Sequence, residues 1–168
     1  MQKEFIQKNN LVVTAMLAAL LAILGTFKIP AIVPGAEFQL SAPFALCIAA
    51  CFGFRRYFTI GLLASAINLL LGTHTILNVT IALVFRIIAG GMITLLGAKP
   101  ASLVISGSVG TAAGRLILAA IVHVSPLPLL AGAAPGMIAT AILTPIMYPA
   151  MKRVLSAYGA AGERNRGA

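Results

Sequence analysis

The sequence predicts an all-α integral membrane protein, a bundle of six transmembrane helices with N and C termini cytoplasmic. Three observations carry this reading. Hydrophobic residues make up 60% of the 168-residue chain and charged residues 9%, a balance far from that of soluble domains. The apolar residues form continuous runs, whereas a transmembrane barrel alternates with a period of two. The 12 Lys and Arg gather at the ends of those runs and sort to one side of a membrane.

By length this is one domain. Residues 1–10 are polar and basic and form a cytoplasmic N-terminal segment, residues 11–157 the membrane domain, and residues 158–168 a cytoplasmic tail expected to be disordered. The first apolar run is long and is followed by further spans, unlike a signal peptide.

The first span runs from about Leu11 to Phe27 and carries Ala15, Ala18, Ala19 and Ala22 on one side. Small residues at that spacing let another helix approach closely, either within the protein or from a partner. In the next stretch, KIPAIVPGAEFQL, Pro30, Pro34 and Gly35 break any helix, so Lys28 to Leu40 reads as a loop holding Glu37 and Gln39. Ser41 and Pro43 open a short second span to Phe54. Arg55 and Arg56 mark a turn, and the third span runs from about Tyr57 to Leu71 with Asn68 near its end.

The fourth span, His74 to Gly97, holds Arg86 near its middle. A guanidinium at that depth costs at least ~2.5–3.5 kcal/mol by insertion scales, so it should face the bundle interior or an aqueous cavity. Asn78, Ala82, Arg86 and Gly90 fall at i, i+4 spacing and make one polar and small stripe, with Leu83, Ile87 and Leu95 off it. The fifth span, from Pro100 to about His123, carries a second small ladder, Ser106, Gly110 and Gly114, with Arg115 beside it. The sixth, from about Leu129 to Leu155, contains Pro135, Pro145 and Pro149, where kinks are expected.

Six spans put both termini on one side. Nine cations then share the cytoplasmic side, Lys28 stands alone outside, and Arg86 and Arg115 lie within spans. This orientation gathers the polar residues Asn68, His74, Asn78, Thr80, His123 and Ser125 in the outer half, beneath the Glu37–Ser41 loop. A cavity open to the outside follows, with Arg86, Asn78, Glu37, Gln39, Ser41, Asn68 and Arg115 as candidate substrate-binding residues. Each has a plainer alternative: Arg86 pairing with Glu37, Arg115 snorkelling to outer headgroups, the asparagines bonding between helices.

Other classes fit poorly. The net charge of +9 is spread along the chain and forms no nucleic-acid-binding face or motif. Cys47 and Cys51 read as small buried hydrophobes, and no metal site or cofactor is expected. Among enzymes, aspartyl proteases are excluded because the chain has no Asp, and Ser106, Ser108 and His123 lie on one span instead of forming a two-helix dyad. A stand-alone small secondary transporter would place acids within its spans, and all three Glu lie outside them. No G-x-x-x-x-G-K-[ST] phosphate loop is present, so this chain hydrolyses no ATP itself.

The stretch Lys28 to Gly72 resembles the substrate-binding (S) components of energy-coupling-factor (ECF) vitamin transporters. The likeness lies in the proline-broken first loop, the polar start of the second span, the FGF turn with basic residues, and INLLLG at the end of the third span. The ladder Ala15, Ala19, Ala22 resembles the first-helix motif by which that family docks on its transmembrane coupling subunit. The resemblance spans roughly residues 11–155. It implies a membrane-embedded binding subunit in the cytoplasmic membrane for a vitamin-like ligand, with loop 28–40 as a lid. It also implies a coupling subunit and two ABC-type ATPase subunits as partners, and no nucleic acid. Two intramembrane arginines favour a carboxylate- or phosphate-bearing ligand, because Arg pairs bidentately with such groups. Biotin, pantothenate, niacin and folate all meet that condition.

Overall fold

A computed structural model describes residues 2–30 and 37–164, and side chains over 11–27 and 40–157. The chain forms α1 (Gln2–Thr26), a hairpin of β1 (Lys28–Pro30) and β2 (Glu37–Gln39), then α2 (Ser41–Leu70), α3 (Ile76–Leu96), α4 (Pro100–Val122) and α5 (Pro126–Arg164). Four of these helices, α2 to α5, are long and apolar enough to cross a membrane, and α1 adds the shorter apolar stretch Leu11–Thr26.

The helix ends follow from local chemistry. Thr75 caps α3, its Oγ1 accepting from the Asn78 N–H at 3.3 Å, which satisfies one of the free amides of the first turn. Gly97 closes α3 at φ 80°, a conformation that glycine adopts without steric cost. Pro100 then occupies the first turn of α4, where its missing N–H has no intrahelical role.

α2 is two arms rather than one rod. Gly53 lies inside it at φ 77°, ψ 170°, a region essentially closed to other residues. Ser41 and Ala45 line the same cavity as Arg86, while Ser65 bonds Arg86 directly. In a straight helix Ser41 and Ser65 would lie about 36 Å apart at ~1.5 Å per residue. The chain therefore reverses at Gly53, two residues before the turn expected at Arg55 and Arg56, because only glycine accepts that backbone.

Contacts between side chains fix the helix directions. Arg56 Nε donates to Thr14 Oγ1 at 3.2 Å, and Asn68 Nδ2 to the Ala22 carbonyl at 3.3 Å, so α1 runs parallel to the second arm of α2. Gly90 faces Tyr57 and Gly61 faces Arg86, so α3 runs antiparallel to that arm. Gly110 abuts Phe85 and Gly114 abuts Ile81, so α4 runs antiparallel to α3. Gly53, Gly97, the N-terminal end of α1 and the C-terminal end of α5 thus share one end of the bundle. The β-hairpin, Gly72 and His123 share the other.

The small residues of α4 make its close approach possible. A Cβ added at Gly107 would sit 2.7 Å from Leu46 Cδ1, and one at Gly110 would sit 2.9 Å from the Ala89 Cβ. Helices without bulky side chains between them gain contact along their backbones, the main attraction available inside lipid. The dry core lies toward the Gly53 end, where Leu46, Ile48, Tyr57, Ile60, Ile93 and Leu103 are buried together. Large apolar side chains face outward elsewhere, as on a lipid-facing surface: Leu95 is 86% exposed and Ile87 52%.

One expectation needs correction. Lys28 to Leu40 is not wholly loop, since β1 and β2 pair antiparallel with Ile29 opposite Phe38; proline stops helices but its φ suits extended chain at a strand end. Helical backbone continues beyond the apolar runs, from Gln2 in α1 and to Arg164 in α5. Pro135, Pro145 and Pro149, where kinks are expected, all lie inside α5.

Candidate functional site

A cavity of about 230 Å³ opens between α1, the first arm of α2, α3, α4 and α5. Its position follows from which elements carry small residues at that level. The first arm of α2 contributes Ser41, Ala42 and Ala45, and α5 contributes Ala133, Gly136 and Thr140. Past Ala45 the same arm carries the buried Leu46 and Ile48, and the space closes.

Arg86 stands between these two levels. It is 8% exposed, lines the cavity, and its Nη1 donates to Ser65 Oγ at 2.8 Å. A guanidinium carries five N–H donors, and Ser65 takes the one bond it makes among the described residues. Gly61, one turn from Ser65, makes the room: a Cβ there would overlap Arg86 Nε and Cδ. No Asp or Glu lies among the described side chains, so the charge faces a cavity without a described counter-ion.

Of the other sequence-predicted residues, Asn78, Ser41 and Arg115 line the same cavity. Asn78 sits two turns before Arg86 on α3, and Arg115 reaches in from α4 beside Thr111. Asn68 does not join them. It is 3% exposed, ties α2 to α1 through the Ala22 carbonyl, and its Oδ1 has no partner among the described residues. Its backbone carbonyl also accepts from the Thr73 and His74 N–H groups and holds the Gly72 turn. The side chains of Glu37 and Gln39 lie outside those described.

His74 also lines the cavity. Its Nε2 lies 3.2 Å from the Gly25 carbonyl and must carry the proton in that bond, while Nδ1 is buried without a partner among the described residues. Thr111, Thr140, Ser65 and Gly61 escaped the sequence reading. Their signal was the i, i+4 stripe: Gly107–Thr111–Arg115, Gly136–Thr140–Thr144 and Gly61–Ser65 each set a polar or small face against the arginine helix.

The first-helix ladder divides. Ala15 and Ala19 are exposed, whereas Ala22 is buried at 3% and belongs to the interior beneath Asn68. A close helix neighbour thus already occupies the face of Ala22.

One comparison gives a lineage and another gives a fold. Protein BioX of Lysinibacillus sphaericus is 48% identical over 144 residues, 83% of this chain and 87% of that protein. The solved S component of a bacterial ECF transporter superposes with a TM-score of 0.60 at 20% identity, covering 90% of this chain and 98% of that one. No family model matches. This multi-pass membrane protein belongs to the BioX protein family and has the fold of an ECF-transporter S component.

Proposed function

We propose that the chain is the substrate-binding subunit of an ECF-type uptake system in the cytoplasmic membrane. In this reading it crosses the bilayer six times, with the two arms of α2 as separate spans and both termini cytoplasmic. It binds a small anionic, vitamin-like molecule from outside and works with a transmembrane coupling subunit and two ABC-type ATPase subunits. The observation that carries the reading is Arg86, buried at the base of a cavity and without a described acid beside it, in an S-component fold. Cationic side chains at Arg55, Arg56, Lys99, Lys152 and Arg153 all fall at the Gly53 end, which supports a cytoplasmic assignment for that end. The cavity is smaller than the ~300–1,000 Å³ of drug-sized sites, which favours a compact acid over a folate-sized one.

The exposed pair Ala15 and Ala19 is the docking surface in this scheme, because small side chains let a partner helix approach. Replacing both with Trp and measuring uptake alongside ligand binding tests it. Uptake should vanish in the variant while the isolated variant still binds ligand, and wild-type uptake should require co-expressed coupling and ATPase subunits. Uptake that persists without those subunits would overturn the proposal in favour of a stand-alone transporter.

A further inference from the structure

The cavity contains two arginines, on two helices, at two levels. Gly110 abuts Phe85 and Gly114 abuts Ile81, which sets Arg115 opposite residue 80 or so of α3. Arg86 lies six residues further along, about 9 Å at ~1.5 Å per residue. Between those levels the wall of α3 consists of Ile81, Ala82 and Phe85, all of them apolar. Arg115 is half-buried and lines the cavity together with Thr111, one turn away on the same face, so its face is turned inward and not toward lipid.

Two guanidiniums facing one small space repel each other, and no carboxylate among the described side chains stands between them. One carboxylate satisfies one guanidinium bidentately. It leaves the second cation unpaired in a partly dehydrated site, where an unmatched charge is most costly. From this arrangement we infer that the ligand carries two anionic groups, one at each end of a short apolar body: a linear α,ω-dicarboxylic acid in class. Arg86 with Ser65 behind it takes the deep carboxylate, Arg115 takes the shallow one, and Ile81, Ala82 and Phe85 flank the methylene chain. The inference rests on the proposed reading of this cavity as the substrate site.

The test is calorimetric titration of the detergent-purified full chain with α,ω-dicarboxylates from succinate to sebacate, each set against its own monomethyl ester. The ester keeps the length and removes one charge. At the best-fitting length the diacid should bind roughly tenfold or more tightly than its ester. Arg115→Gln should bring that ratio close to one, and Arg115→Lys, which keeps the charge, should restore a preference for the diacid. Equal binding of diacid and ester to the wild-type protein overturns the two-anion inference alone and leaves a monoanion site. Tighter binding of methyl phosphate than of any diacid also overturns it, since both arginines would then share one group. If no acid or ester of any length binds the folded protein, the anion site of the proposed function falls with it.

Discussion

The bundle has two levels built from the same kind of residue with opposite results. Near the Gly53 end, Gly90 and Gly107 are small because Tyr57 and Leu46 fill the space they leave, and that level is dry. Toward the hairpin end, Ala45, Ala133 and Gly136 are small and no described side chain fills the space, so a cavity remains with Arg86 at its base. A small residue in a membrane helix therefore does not announce its role. What decides is whether a large side chain on the facing element reaches into the gap, and that depends on the register between elements far apart in sequence.

The sharpest way to break this comparison is to remove the charge at the boundary between the levels. Arg86→Ala should weaken ligand binding by roughly 2–5 kcal/mol, as for loss of one member of a buried charge pair. Folded yield should stay near that of the wild type, because the charge serves the cavity and not the dry core. A double-mutant cycle with Glu37→Ala separates the alternative, in which those two residues pair and both single variants lower the melting temperature without ligand.

Filling the two levels should have opposite signatures. Gly107→Leu drives a side chain into Leu46 and should cost about 1–3 kcal/mol of stability through overpacking. Ala45→Phe places its ring in the cavity and should abolish ligand binding with a much smaller change in melting temperature. Melting and affinity curves for the pair would contradict the two-level account if both variants lost stability alike.

An effect of a different origin is expected where glycine is needed for its backbone alone. A Cβ at Gly53 meets no atom within 4 Å, but the residue sits at φ 77°. Gly53→Ala should therefore destabilise by about 1–3 kcal/mol through conformational strain without disturbing packing. Thermal unfolding in detergent checks this, and an unchanged midpoint would mean that the reversal tolerates an ordinary residue.

Much of the fold was legible because lipid imposes simple rules. Continuous apolar runs with cations at their ends marked the helices, and a mid-span arginine had to face inward. The stripe Asn78, Ala82, Arg86 and Gly90 was readable from spacing, and three of its members do line the cavity. Asn68 was not separable from that group, since a polar residue near a span end serves equally well as a tie between helices, here to the Ala22 carbonyl. Ala15 and Ala22 looked equivalent for the same reason: spacing groups residues on a helix, while burial depends on which neighbour arrives. Ser65 and Gly61 were overlooked because neither is costly to bury, and their importance appears only once Arg86 is seen lying over them.

The central claim is that Arg86 holds an anionic small molecule in this cavity. Mass spectrometry of molecules released from the detergent-purified wild-type chain and from Arg86→Ala, at equal folded protein, tests it most directly. The account predicts an anionic metabolite bound to the wild type in near-stoichiometric amount and absent from the variant. The same molecule retained equally by both proteins, or a neutral or cationic one in the wild type, would contradict it.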